Sequence, residues 1–135
     1  MTPVADELTQ VLEVIRTRVT DVPGLDALLL FGSRARGDAH AASDWDFAYI
    51  GEPELDADGL LAALVLTCET DQVDLVDLRR AGGLLRYRVA RDGRTVVERN
   101  RGSVNRFTLE AADFWCDAGP LLEREYEALL ASLQA

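Results

Sequence analysis

Seven residues, Leu25-Asp26-Ala27-Leu28-Leu29-Leu30-Phe31, are almost continuously apolar and then stop at Gly32-Ser33. A run of that length bounded by turn residues reads as a strand, and apolarity on both of its faces requires cover on both, so the chain has to be built in layers around it. The stop also carries chemistry. Gly32 has no side chain to hold a phosphate away, Ser33 adds a hydroxyl, and the N–H groups of a helix starting there can point at an anion. Asp44 and Asp46 follow about ten residues later. Separated by one residue, they share a face of a strand over 44–50, with Trp45 and Phe47 on the other. Neighbouring carboxylates repel, which raises one pKa or calls for a cation. An all-oxygen site suits Mg²⁺, which usually also leans on substrate phosphates. Phosphate loop and metal pair together point to one nucleotide. The purely structural reading of the same residues is a strand, a glycine turn and a solvated acidic turn.

The 135 residues, 48% of them hydrophobic, are enough for one domain spanning 1–135 with an ordinary core. Fourteen basic residues against 24 acidic ones give a net charge of -10, which argues against broad binding of nucleic acid or anionic membrane and fits a basic partner better. Cys68 and Cys116 lack metal or disulfide-framework spacing and read as two reduced, buried thiols, implying the cytoplasm. No basic-then-apolar leader and no apolar run of about 18 residues is seen, which disfavours secretion and membrane spanning. His40 is the single histidine, so a histidine-based metal centre is excluded and a histidine-activated nucleophile has no support.

The scaffold follows in chain order. Thr2 reads as an N-cap with Pro3 at the first helical position, and Val4, Leu8, Val11, Ile15 and Val19 line one face of a helix that ends at Asp21 to Gly24. Beyond the strand over 44–50, Gly51 and Pro53 punctuate the chain. A helix over about 54–70, carrying Leu55, Leu60, Leu61, Leu64, Val65 and Cys68, makes a crossover to a third strand over 72–78. In that strand Asp74 shares a face with Val76 and Asp77 points the other way. An acid among Val and Leu is costly unless paired, hydrogen-bonded or on a metal, which makes Asp74 a candidate third ligand; Asp77, nearer the strand end, reads as solvent-facing. Residues 81–92 read as a helix stopped by Gly93 and 94–98 as a short strand, with a hairpin at Asp92-Gly93 as the competing reading. Arg86, Arg88, Arg91 and Arg94 read as a solvated face rather than a phosphate patch. After a loop over 100–103, residues 108–118 and 121–133 form a helical pair interrupted at Gly119-Pro120. Its apolar contacts are Leu109, Phe114, Leu122, Tyr126, Leu129, Leu130 and Leu133.

Gly32, Ser33, Ala35, Arg36 and Gly37, followed by Ser43, Asp44 and Asp46, resemble the Gly-Ser-x-Ala-Arg-Gly and Ser-Asp-x-Asp motifs of the DNA-polymerase-beta-like nucleotidyltransferases, in their minimal, single-domain branch. Trp45 and Phe47 are bulkier than the aliphatic residues usual beside the two acids. Val73-Asp74-Leu75 is similar to the setting of the family's third carboxylate. The likeness extends through Val76-Asp77-Leu78 and Arg91 to Arg94 and is strongest to the minimal nucleotidyltransferase (MntA-like) antitoxins of type VII toxin–antitoxin pairs.

The resemblance implies an α/β fold, a small mixed β-sheet flanked by helices with a C-terminal helical segment. It implies an adenylyltransferase that moves AMP from ATP to a tyrosine of a HEPN-domain ribonuclease toxin, its hetero-oligomeric partner. Asp44 and Asp46 would hold two Mg²⁺ ions, Asp74 would complete one metal site and help deprotonate the hydroxyl, Gly32 and Ser33 would grip the β- and γ-phosphates, and Arg36 would steady the loop or a phosphate. Two alternatives use the same residues differently. One is a small-molecule, aminoglycoside-type nucleotidyltransferase, which usually carries an added acceptor domain; the other is a non-catalytic antitoxin acting by steric binding.

Overall fold

The structure, a computed structural model, describes residues 3–134, with side chains described for 7–117 and 123–133. Its elements are α1 (Pro3–Val19), β1 (Leu25–Phe31), α2 (Gly32–Arg36), β2 (Trp45–Gly51), α3 (Ala57–Cys68), β3 (Val73–Asp77), α4 (Gly83–Asp92), β4 (Arg94–Glu98) and α5 (Ser103–Gln134). The four strands form one mixed sheet in the order β3-β2-β1-β4. β1 pairs antiparallel with β2 and with β4. β2 and β3, joined through α3, pair in parallel, as a helical crossover requires.

The apolar run is therefore a central strand with helices on both sides. Leu28 and Leu30 face a cluster with Phe47, with Ile15 and Val19 of α1 and with Leu60 and Leu64 of α3. Ala27 and Leu29 face the opposite cluster with Ala48, Val89 of α4, and Phe107 and Ala111 of α5. Burying each large side chain of these layers contributes about 1.5–3 kcal/mol. β4 departs from simple alternation: Val96 and Val97 are both buried in the first cluster, because its pairing with β1 shifts between Leu28 and Leu29, as a bulge allows. Asp56 caps α3, its Oδ1 accepting from the Gly59 N–H at 3.0 Å. Gly93 ends α4, its N–H donating to the Val89 carbonyl at 2.7 Å, which decides for helix and strand over the hairpin.

Several expectations are corrected. The β2 strand begins at Trp45, so Asp44 lies just outside it, and the crossover helix is shorter than the 54–70 span. The helical pair is one helix, continuous through Gly119-Pro120. Proline removes a single donor and costs about 3 kcal/mol inside a helix, and long helical flanks on both sides propagate across it. This helix also starts earlier, at Ser103, where the Val104 N–H donates to Glu98 Oε2 at 2.9 Å. That carboxylate, delivered from β4, suits the positive end of a helix. Of the tail residues expected as contacts, Leu109, Phe114, Leu129, Leu130 and Leu133 are exposed, whereas Leu122 lies outside the described side chains, as do Thr2 and Val4. The thiols are not both buried. Cys116 is exposed and Cys68 partly buried, burial pushing the Cys68 thiol up to about 11. Among the described residues, no helix is long and apolar enough to cross a membrane.

Candidate active site

At the end of β1 the chain turns directly into α2, and Gly32 makes the turn with φ +75. Only glycine enters this left-handed region without cost. A side chain here would also strike the Asp46 carboxylate, because a Cβ added at Gly32 overlaps Asp46 Oδ2. The loop thus lies against the acid for want of a methyl group. One turn later the Gly37 and Asp38 N–H groups both donate to the Ser33 carbonyl, at 3.0 and 3.1 Å. Gly37, at φ +86, ends α2.

The return loop to β2 is held by Arg34. Its Nη2 donates to the Ser43 carbonyl at 2.8 Å, and its guanidinium lies 4.2 Å from the centroid of the Trp45 ring. His40 sits in this loop, where its Nδ1 accepts from the Ala42 N–H and the Ser43 hydroxyl accepts from the His40 N–H. Arg34 thereby pins the residue that precedes Asp44. It was not singled out by sequence reasoning, because nothing local indicates that a guanidinium will stack on a ring eleven residues away.

Alternation along β2 buries Trp45 and Phe47 and turns Asp46 to the α4 side. Asp46 is paired in register with Phe31 on β1 and with Asp74 on β3. Asp44 and Asp74 are exposed and Asp46 is half-buried. The Asp46 carboxyl is held above its ordinary value, by burial first, then by the charges of Asp74 and Asp44, against a lowering by Arg36. Three carboxylates are thus gathered where one of them resists ionisation. Asp77 is spoken for: its Oδ1 accepts from the Arg79 N–H at 2.9 Å and its Oδ2 lies 3.9 Å from Arg80 Nε. It is half-buried and caps the turn after β3, where solvent exposure was expected.

A cleft of about 410 Å³ opens over these residues. It is lined by Gly32, Ser33 and Arg36 of α2, by Ser43, Asp44 and Asp46 at the start of β2, and by Leu85, Arg88 and Asp92 of α4. Their spacing puts the last three on one face of α4. The candidate residues Gly32, Ser33, Arg36, Asp44 and Asp46 therefore meet in the cleft, and Asp74 stands on the neighbouring strand beside Asp46. Arg36 spans α2 and α4, with Nε 3.3 Å from Asp38 Oδ2 and Nη1 3.8 Å from Asp92 Oδ2. Arg91 hydrogen-bonds Asp92 and holds its carboxyl below the ordinary range, with Arg36 and Arg88 adding to the effect. The arginine face divides: Arg86 pairs with Glu110 and Arg91 with Asp92, while Arg88 enters the cleft. Leu85, Arg88 and Asp92 were missed as site residues because α4 follows the acids in sequence by tens of residues and meets them only across the sheet end.

A short mixed sheet with a Gly-Ser turn facing a carboxylate pair is the arrangement of a nucleotidyltransferase, and the chain belongs to the polymerase beta nucleotidyltransferase family, whose model matches residues 13–102. It is 32% identical over 112 residues to the protein adenylyltransferase MntA of Aphanizomenon flos-aquae (strain 2012/KM1/D3), a match covering 74% of this chain and 75% of that protein. Among solved structures it is similar to a toxin–antitoxin with AMP-PNP, at 26% identity and a TM-score of 0.65, covering 91% of this chain and 97% of that one. It is also similar to a mutant of the MntA–HpeT toxin–antitoxin, at 25% identity and a TM-score of 0.67, covering 92% and 98%.

Proposed function

We propose that this chain transfers AMP from ATP to a tyrosine hydroxyl of a HEPN-domain ribonuclease toxin and so silences it. The observation that carries the reading is the Asp44, Asp46 and Asp74 cluster beside the Gly32-Ser33 turn, with Asp46 held above its ordinary pKa. Similarity to a protein adenylyltransferase and to a chain of a toxin–antitoxin complex supports a protein as the acceptor.

The acid cluster fits Mg²⁺ by its chemistry: oxygen donors, mutual repulsion and a single arginine as counter-charge. Among the described residues no three acidic, histidine or cysteine side chains converge closely enough to hold a metal by themselves. Mg²⁺ keeps several waters and is commonly shared with substrate phosphates, so it does not require three protein ligands. Asp44 and Asp46 would hold two ions and Asp74 would complete one of the sites. When bound, the ions supply positive charge against the phosphates. The remaining work falls to the chain. Gly32 and Ser33 bind the β- and γ-phosphates, Arg36 steadies the loop between them and α4, and Asp74 accepts the proton of the attacking hydroxyl. The oxygen of that hydroxyl then bonds to the α-phosphorus as pyrophosphate leaves. Positioning and charge neutralisation dominate such a transfer.

The partner would dock on the distal part of α5, where Leu129, Leu130 and Leu133 are exposed at helical spacing. The net charge of -10 would speed encounter with a basic ribonuclease surface. Co-expression with a HEPN-domain toxin tests the whole reading. With ATP and Mg²⁺, the intact mass of the toxin should rise by one or more AMP units, and the gain should vanish with Asp44→Ala. A tight complex with no change of mass would instead show steric inhibition, and AMP on an aminoglycoside but not on the toxin would show small-molecule modification.

The two acids of β3 give a sharper test of roles. Asp74→Asn should lower transfer by about 10²-fold or more, as loss of a stabilising or proton-accepting group does. Asp77→Asn should leave the rate nearly unchanged while lowering the melting temperature, because its bonds close a turn on the opposite face. Rates and melting curves of both variants decide it, and the reverse order would overturn the assignment.

A further inference from the structure

Four arginines stand in or beside the cleft, and three are matched to carboxylates. Arg86 Nη2 lies 3.3 Å from Glu110 Oε2, Arg91 Nη2 lies 2.9 Å from Asp92 Oδ2, and Arg36 is shared between Asp38 and Asp92. Arg88 differs. Among the described residues no carboxylate forms an ion pair with it; its guanidinium lies 4.7 Å from the centroid of the Tyr126 ring, on α5. A cation–π contact anchors a guanidinium without using up its N–H donors. Those donors belong to a residue that lines the cleft together with Ser33, Asp44 and Asp46. A half-buried cation with open donors in a cleft otherwise rich in carboxylates matches an oxyanion, and the forked geometry of arginine matches a phosphate.

The tether to α5 is built in more than one place. Tyr87, next in sequence to Arg88, stacks on Trp115 with ring centroids 4.1 Å apart and planes 10° from parallel. A Cβ added at Gly83 would overlap the Phe114 ring, so α4 and α5 touch closely one turn further along. Trp115 and Tyr126 are eleven residues apart, three helical turns, and so lie along one stripe of α5. The same helix carries Leu129, Leu130 and Leu133 one to two turns beyond Tyr126.

We propose that Arg88 contacts a phosphate of the nucleotide from the α4 side of the cleft, and that Tyr126 is the positioning residue that aims it. The proposal rests on the nucleotide-transfer reading above and names a contact that the motif residues do not include. It also links the two ends of the reaction: the residue that orients the phosphate contact sits on the helix whose next two turns would meet the acceptor protein.

The test uses the full chain. Isothermal titration with ATP and Mg²⁺ gives the dissociation constant, and AMP transfer to the partner gives kcat and KM separately. Arg88→Gln and Arg88→Ala should each weaken ATP binding by about 10- to 100-fold, the loss typical of a charge-assisted hydrogen bond, with KM raised more than kcat is lowered. Tyr126→Leu should weaken ATP binding in the same sense, Tyr126→Phe should restore it because the ring and not the hydroxyl is used, and Arg88→Ala/Tyr126→Leu should be no worse than Arg88→Ala. An ATP affinity unmoved by Arg88→Gln in a protein that melts like the parent would overturn the phosphate contact. A lowered melting temperature with parental ATP affinity in Tyr126→Leu would reduce Tyr126 to a packing residue and overturn its positioning role. Transfer retained by Asp44→Ala would overturn the underlying nucleotide-transfer reading instead, so the two failures are distinguishable.

Discussion

Replacing Asp46 by asparagine will yield a folded protein at least as stable as the parent at neutral pH, with AMP transfer reduced by about 10²–10³-fold or more. The two halves of that result have one cause. Burial and the charges of Asp74 and Asp44 hold the Asp46 carboxyl above its ordinary value of 3.8, so the folded state binds this proton more tightly than the unfolded chain does. By linkage, the contribution of Asp46 to stability is most favourable below the unfolded value and declines as pH rises from there through the raised folded value. At neutral pH the ionised side chain is therefore a net cost to the fold, which asparagine removes. Melting temperatures of parent and Asp46→Asn from pH 3 to 7 will show it: the parent should lose stability relative to the variant as pH rises through that window. A variant that melts lower than the parent at pH 7 would mean that the carboxylate stabilises the fold, which contradicts a role reserved for a cation. Asp44→Ala should abolish transfer as well, with little change in stability, since Asp44 is exposed outside the strand.

Gly32→Ala will lose both stability and activity, and Gly37→Ala separates the two reasons. Both glycines have positive φ, +75 and +86, and forcing alanine into the left-handed region costs about 1–2 kcal/mol. At Gly37 that is the whole cost, since nothing lies within 4 Å of an added Cβ. At Gly32 the new Cβ overlaps Asp46 Oδ2 and lies 3.2 Å from its Cγ and 3.3 Å from its Cβ, so either the carboxylate or the loop must move. Gly37→Ala should therefore lower the melting temperature and keep most of the activity, whereas Gly32→Ala should cost more stability and lower transfer by at least about 10²-fold, the penalty of misplacing reacting groups by about 1 Å. Equal activity in the two variants would show that contact between the turn and Asp46 is unimportant.

Much of this architecture was legible in the chain because it is local. An apolar run ending at Gly32-Ser33 announces a buried strand and a turn, and alternation alone puts Asp46 on one side and Trp45 and Phe47 on the other, although Asp44 falls just before the strand. The same period-two rule separates Asp74 from Asp77, and Gly93 marks the end of α4. What the sequence could not place was whatever depended on a distant partner. The start of α5 is capped by Glu98 from another element, so the local residues around Ser103 give no sign of it. The proline at 120 reads as a break, yet the helix continues, since a local penalty of a few kcal/mol competes with propagation from both sides.

The α4 side of the cleft is the clearest case. Arg86, Arg88 and Arg91 are equivalent on paper, each an arginine on a charged helix. Packing gives Arg86 to Glu110 and Arg91 to Asp92, and sets Arg88 in the lining of the cleft against the Tyr126 ring. Strand periodicity and turn chemistry by themselves determined that Asp46 faces away from Trp45 and Phe47 and which glycines can turn the chain. Only the tertiary structure decided which arginine of α4 lines the cleft, because that choice depends on where α4 meets the sheet end and on a ring presented by α5, neither of which is encoded within reach of the motif.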